Sequence, residues 1–271
     1  MRPWIKYAIE VDGIKKYFST AEWRVDTETT NKNVADSSSG DLPPLEGRYK
    51  LYSEYMAKYL RRDSAILSIG SGYARNEIFL HKSGFNIICT DVDSSSIEYV
   101  KKQEPNMSYV LYNPILTPYE KKFDVVISLG VLYYFSTSEL ALVFRHIHKS
   151  LEPNGILIID VGGGQNHIIT WVIDLIQKVE ILCYYAYLLL FRRKAKLVRK
   201  SNGYRSTDKE IIQAAHQEGF TLIKLNHFDT FTELGKRTWL GRMLAKSVFM
   251  RRLMMRLGTF IPYVRLMVFK A

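Results

Sequence analysis

Two glycines two positions apart, Gly70 and Gly72, follow the short apolar run Ala65–Ile69 and sit in the segment Gly70-Ser71-Gly72-Tyr73-Ala74. Glycine adopts positive φ without strain and lets bare backbone approach a ligand. A side chain at either position would fill that space. Nineteen residues past Gly72, a second apolar run ends on Asp91. A carboxylate so placed accepts hydrogen bonds from both vicinal hydroxyls of a ribose. Each feature also has a plainer reading. Gly-x-Gly often marks only a tight turn, and Asp91 or Asp93 can cap the helix that follows. In register on one strand–loop–helix–strand unit, the two together point to an adenosine-containing cofactor. A dinucleotide site carries a third glycine three residues beyond the second, and here that position is Arg75, so the pyrophosphate-cradling pattern is incomplete.

A second group of residues falls at the same edge. Tyr133 and Tyr134 follow the run Phe123–Leu129, and His167 follows Gly162-Gly163-Gly164-Gln165-Asn166. These three are candidates for lining an acceptor site. The alternative is that both tyrosines pack and His167 caps a helix. No single residue stands out as a base. Cys89 and Cys183 have neither metal-like nor redox-like spacing, so no metal site and no disulfide framework are expected, and a reducing, cytoplasmic compartment is the simpler reading.

The elements that must position these residues show a regular alternation. Glu46–Leu60 carries tyrosines at helical spacing and leads into the strand Ala65–Ile69. Strands then follow at Phe85–Thr90, Tyr109–Tyr112, Phe123–Leu129 and Ile156–Val161, with Phe220–Leu225 and Tyr263–Phe269 as the last two. Helices lie between them. Ser95 with Glu98, Ser136 with Glu139 and Thr207 with Glu210 have capping-box spacing, and Gly84 and Gly219 stand where helices end. This rhythm predicts an α/β fold, a seven-stranded, mostly parallel, Rossmann-like sheet with helices on both faces and a helical cap. Ligands on such sheets bind beyond the carboxyl ends of the strands. The organisation expected is an N-terminal helical or lid segment over 1–48, with one or two short helices in 1–25 and a flexible polar loop over 26–44. A cofactor-binding core over 49–164 follows, then a basic helical insertion over 165–206 and the rest of the core, with a basic amphipathic insertion, over 207–271.

Four stretches carry a resemblance: Ile66–Ala74, Cys89-Thr90-Asp91-Val92-Asp93, Phe123–Leu132 and Leu151–Leu157. Phe-Asp-Val-Val, then Gly-Val-Leu, then a helix and Leu-x-Pro-x-Gly resembles the central part of the class I S-adenosylmethionine-dependent methyltransferases. The resemblance implies S-adenosylmethionine as cofactor. It implies that Gly70, Ser71 and Gly72 abut its methionine and ribose part, that Asp91 binds the ribose with Val92 beside it, and that Asn113 accepts from the adenine amine. Leu129 and Gly130 would lie beneath the sulfonium. Ser68 stands where the family often has an acid near the methionine amine, and Ala74 replaces a common third glycine.

Hydrophobic residues make up 47% of the 271, enough for a sizeable core, and the net charge is +11. The charge is unevenly placed. Seven basic residues and no acid lie in 181–207, and nine more with no acid follow Glu233. The other 22 basic residues face all 27 acids, so the remainder is mildly acidic. The two basic segments are expected to face something anionic. Ile168–Val198 reads as an apolar helix ending in Arg-Arg-Lys, and Trp239–Leu257 interleaves aliphatics with Arg and Lys. Such helices lie on anionic membranes; the alternative is a solvated face with arginine stems over a packed core. The longest apolar run, Ile181–Phe191, is too short to span a bilayer, which takes about 20 residues, and the N-terminus lacks the long apolar core of a signal peptide. The leading expectation is a methyltransferase acting on an O or N nucleophile of a small-molecule, lipidic or lipid-linked acceptor, peripherally attached to an anionic membrane. The alternatives are an RNA methyltransferase, a non-catalytic cofactor-binding protein of the same fold, and a nicotinamide oxidoreductase.

Overall fold

The computed structural model describes residues 2–11, 14–16, 47–161, 167–191, 194–228, 238–250, 252–253 and 264–271. The central sheet is built from β3 (Ala65–Ile69), β4 (Asn86–Asp91), β5 (Ser108–Leu111), β6 (Phe123–Ser128), β7 (Leu151–Val161), β9 (Thr221–Phe228) and β10 (Val264–Lys270). Their spatial order is β5-β4-β3-β6-β7-β10-β9. The first five pair in parallel, and β10 runs antiparallel between β7 and β9. The chain leaves β3 toward β4 on one side and returns through β6 on the other. The carboxyl end of β3 is therefore the switch point at which such sheets hold ligands.

Strands buried on both faces read as apolar runs rather than alternations, and the two faces are separate cores. Ile66, Ile127, Ile158, Leu266 and Val268 face α1 (Gly47–Met56), α2 (Arg75–Lys82) and α3 (Ser94–Gln103). Leu67, Val126, Leu157, Ile159 and Met267 face α4 (Thr137–Ser150) and α6 (Asp208–Gln217). The stripe Leu140, Val143, Phe144 and Ile147 on α4 is buried, as its period requires. Ser136 and Thr207 each form a complete capping box with Glu139 and Glu210. The α3 cap departs from the expectation. Asp93, not Ser95, is the cap, accepting from the Ser95 amide, and the helix begins at Ser94.

The N-terminal segment also departs from the expectation. Residues 2–11 are not helical but form the strand β1 (Arg2–Val11), paired antiparallel with β2 (Ile14–Lys16) and with β8 (Ala195–Arg205). Ile5, Tyr7, Ile9 and Val11 recur every second residue, the period of a strand and not of a helix. The apolar helix α5 spans Ile168–Leu190 and stops there, because residues 195–205 belong to β8. The expected helical cap is thus a three-stranded sheet with one long helix on it. Ile181 and Leu188 of α5 pack on Ile9 of β1. The polar loop expected over 26–44 lies outside the described residues.

Candidate functional site

The loop after β3 is fixed by hydrogen bonds from below. The Ser71 amide donates to the Thr90 carbonyl at 2.9 Å, which ties the loop to the end of β4. The Thr90 hydroxyl donates to the Ser68 carbonyl at 2.8 Å, and the Tyr109 hydroxyl donates to the Gly72 carbonyl. The Gly72 amide donates to Asp91 Oδ2 at 2.7 Å, and Asp91 Oδ1 accepts from the Asp93 amide at 3.0 Å. Asp91 therefore holds the glycine loop itself, as well as standing at the end of β4. A carboxylate oxygen has further lone pairs for hydroxyl donors.

The two glycines do different things. Gly70 has φ +70°, and a Cβ there would lie 2.3 Å from Val131 Cγ2, so its bareness serves the packing of two loops against each other. Gly72 has φ +54° and Gly130 φ +70°, and a Cβ on either would meet nothing within 4 Å. Gly72 and Gly130 thus present bare backbone to open space on both sides of the switch point. The expectation that a side chain at Gly70 would fill ligand space is corrected: it would strike Val131 first.

Ser68 is buried at the end of β3, and its hydroxyl donates to Glu77 Oε1 at 2.6 Å. Glu77 lies in the first turn of α2 and is only 3% exposed. Burial pushes its carboxyl above the ordinary range against the lowering effect of the Ser68 hydroxyl and nearby backbone amides, and the Asp91 charge adds to the rise. A second buried carboxylate, Asp160 of β7, accepts from the Gly130 amide and fixes the loop after β6. Sequence reasoning missed both. Asp160 had a signal, being the one acid within the apolar strand run Ile156–Val161. Glu77 had none, because nothing in its spacing marks a residue that reaches back across the glycine loop.

The remaining expected residues are placed as follows. Val92 is 62% exposed beside Asp91. Asn113 Oδ1 accepts from the Ile115 amide at 3.0 Å, which leaves its second lone pair for another donor. Leu129 is half-buried and leads into Gly130. Tyr133 and Tyr134 pack with ring centroids 4.2 Å apart on the short turn Leu132–Tyr134. Gly203 of β8 lies against that turn: a Cβ there would be 2.2 Å from the Tyr133 carbonyl oxygen. His167 is the N-cap of α5, its Nδ1 accepting from the Ile169 amide at 3.2 Å. The glycines joining it to β7 lie outside the described residues. Among the described residues, two of the clustered basic residues turn inward. Arg205 forms a two-pronged ion pair with Asp174 of α5, and Arg265 pairs with Asp208.

A strand–glycine loop–helix unit with a carboxylate at the end of the next strand defines an adenosine-type site on a Rossmann-like sheet. Residues 67–159 match the family model described as a methyltransferase domain. Over 137 residues the chain is 27% identical to polyamine aminopropyltransferase 1 of Aquifex aeolicus, a match covering 42% of this chain and about half (48%) of that relative's length. Among solved structures, a TehB-like S-adenosylmethionine-dependent methyltransferase from Corynebacterium glutamicum superposes with a TM-score of 0.53 at 16% identity, covering 89% of this chain and 96% of that one. Magnesium protoporphyrin IX methyltransferase from Synechocystis, with bound S-adenosylhomocysteine, superposes with a TM-score of 0.55 at 12% identity, covering 90% and 94%. These likenesses show the fold. Residues 67–159 thus match a methyltransferase domain, on the Rossmann-like α/β fold that these structures share.

Proposed function

We propose that the protein transfers the methyl group of S-adenosylmethionine to an oxygen or nitrogen nucleophile of a small, lipidic or lipid-linked acceptor. One observation carries the cofactor part. Gly72 and Gly130 turn bare backbone to open space at the switch point, and each is held by a carboxylate, Asp91 or Asp160, with Glu77 buried just behind. Three acids and a bare backbone suit a ligand that carries positive charge, and oppose a pyrophosphate.

When bound, the cofactor supplies an electrophilic methyl carbon on a sulfonium and a neutral thioether leaving group. Every other role falls to the chain. Asp91 accepts from the ribose hydroxyls while its second bond keeps Gly72 in place. Ser71 and Gly70 hold the loop's shape, Val92 covers the adenine and Asn113 accepts from its amine. Leu129 and Gly130 form the floor beneath the reacting centre. Glu77, oriented by Ser68, supplies the negative charge for the ammonium of the methionine part, in place of the acid that Ser68 replaces. Tyr133 and Tyr134 line the acceptor's approach with His167 farther along the same edge, and β8 closes over them through Gly203. Alignment and exclusion of water are the main contributions expected from such a site.

In this reading the enzyme works in the cytoplasm. The free thiols of Cys89 and Cys183 suit a reducing compartment. Calorimetry with S-adenosylhomocysteine and with 5′-methylthioadenosine, which lacks the amino-acid part, tests the cofactor assignment. Both should bind. Glu77→Gln should weaken S-adenosylhomocysteine roughly tenfold to a hundredfold, the range for a bond to a charged group, and leave methylthioadenosine unchanged. Equal loss of both would remove Glu77 from this role; binding of neither by the parent would remove the cofactor assignment. Transfer of labelled methyl from the cofactor into lipid-extractable material would establish the acceptor class.

A further inference from the structure

Most of the large apolar side chains exposed among the described residues belong to two neighbouring segments. On α5, Ile168, Trp171, Leu175, Val179 and Leu182 recur every three or four residues along the side turned away from β1 and β8. Trp171 is 66% and Leu182 58% exposed. The stripe runs on to Leu190, at 81%. The second segment starts at Thr238, which is buried and caps α7 (Trp239–Lys246). There Leu240, Met243, Val248 and Phe249 are exposed, Phe249 by 72%. The Leu240 amide donates to Glu180 of α5 at 3.2 Å, so α7 begins alongside the middle of α5.

Exposed apolar surface of this extent, on two neighbouring helices, costs free energy in water, and proteins that keep it use it for binding. The charges around it identify the occupant. Lys178, Lys194, Lys196 and Arg252 are exposed at its margins. The acids of α5 are engaged elsewhere, Asp174 with Arg205 and Glu180 with α7. From Ile181 to Thr207 and from Leu234 to the last residue, the sequence contains no acid at all. A second copy of this chain would bring the same positive charges against it. A nucleic acid would meet a surface on which aliphatic side chains outnumber the aromatic ones, Trp171, Tyr187, Phe191 and Phe249. An anionic bilayer satisfies both features, taking the apolar stripe among its acyl chains and the lysines among its phosphates.

We infer that α5 and α7 together form a membrane-docking face, lying in the plane of an anionic bilayer. Among the described residues no helix is long and apolar enough to cross a membrane, so the attachment is interfacial. The face also bears on the site. α5 packs on β8, and β8 lies against Tyr133 through Gly203, so the acceptor mouth is joined to the docked layer. The inference stands independently of the cofactor assignment, since vesicle binding requires no methyl donor.

Flotation of the full chain with vesicles of phosphatidylcholine containing phosphatidylglycerol, against phosphatidylcholine alone, tests it. The protein should float with the anionic vesicles at low salt and be released as salt rises. Leu175→Glu with Leu182→Glu should abolish flotation at an unchanged melting temperature, since both side chains are exposed. Lys194→Ala and Lys196→Ala should each lower the partition coefficient roughly fivefold. Should the double glutamate variant fail to fold, Trp171→Phe serves instead: vesicles should shift the parent's tryptophan emission to the blue, and this variant should lose most of the shift. Failure to float with anionic vesicles overturns the inference, as does flotation indifferent to the glutamate pair. A stable dimer dispersed by that pair would assign the face to a second copy, and RNA binding lost with it would assign the face to nucleic acid.

Discussion

Single residues at the glycine loop separate the demands of folding from those of binding. A Cβ at Gly70 strikes Val131, so Gly70→Ala should cost roughly 1–3 kcal/mol of stability as overpacking. Pairing it with Val131→Ala should recover part of that loss, leaving the strain of a positive φ; additivity of the two in chemical denaturation would refute the clash. Gly72→Ala meets open space, so it should cost only about 1–2 kcal/mol for its φ, while impairing cofactor binding more than Gly70→Ala does relative to that cost. Glu77 supplies a pH test. Its carboxyl is raised above its ordinary value of 4.5 by burial. A raised folded-state value means that its stabilising contribution is complete below the unfolded pKa and is lost as pH rises through the folded one. Glu77→Gln does not titrate, so its melting temperature relative to the parent should climb as pH rises above the ordinary carboxylate value. A flat difference would show that the buried carboxylate is not a burden on the free protein. Such a burden, kept at the switch point, is the mark of a group held for a ligand.

At the scale of elements, what was legible followed local rules. The strand boundaries came from apolar runs, and two helix starts came from capping boxes, Ser136 with Glu139 and Thr207 with Glu210. Ser95 and Glu98 share that spacing, yet Asp93 is the cap because its carboxylate accepts from the amide and hydroxyl of Ser95 and the hydroxyl of Ser96. Local spacing therefore does not choose between overlapping caps. The pairing of β1 with β8 was illegible for another reason: its register joins Ile9 to Leu197 across most of the chain, and no local period records such a partner. The basic character of 195–205 also hid its strand. The consequence lies at Gly203, whose φ of +102° and contact with Tyr133 hold β8 against the turn Leu132–Tyr134. Gly203→Ala should loosen that contact, so proteolysis within 195–205 should quicken while affinity for S-adenosylhomocysteine stays at the parent's value. Unchanged proteolysis would mean that the small sheet is held by α5 alone.

For the whole molecule, the division of charge matters more than the total of +11. The excess of positive charge belongs to the sequence segments around α5, β8 and α7, while Glu77, Asp91 and Asp160 converge at the switch point. A cationic cofactor and an anionic membrane can then be bound at once without competing for the same residues. This separation also distinguishes the methyl donor from a nicotinamide dinucleotide, which the same α/β architecture often serves. Two phosphates brought to three carboxylates would meet repulsion, and the third glycine of that motif is absent, its place being taken by Arg75. Ligand that binds only the folded chain stabilises it by mass action, about 2.7 kcal/mol at a hundred times its dissociation constant. In a domain of this size that corresponds to a rise in melting temperature of roughly 5–10 °C. S-adenosylhomocysteine at such an excess should produce that rise, and NADH at equal concentration should produce none. Asp91→Ala should remove most of the rise, because Gly72 loses its acceptor and the ribose its carboxylate in one substitution. A rise with NADH, or an undiminished rise with S-adenosylhomocysteine in Asp91→Ala, would refute the charge argument and with it the choice of cofactor.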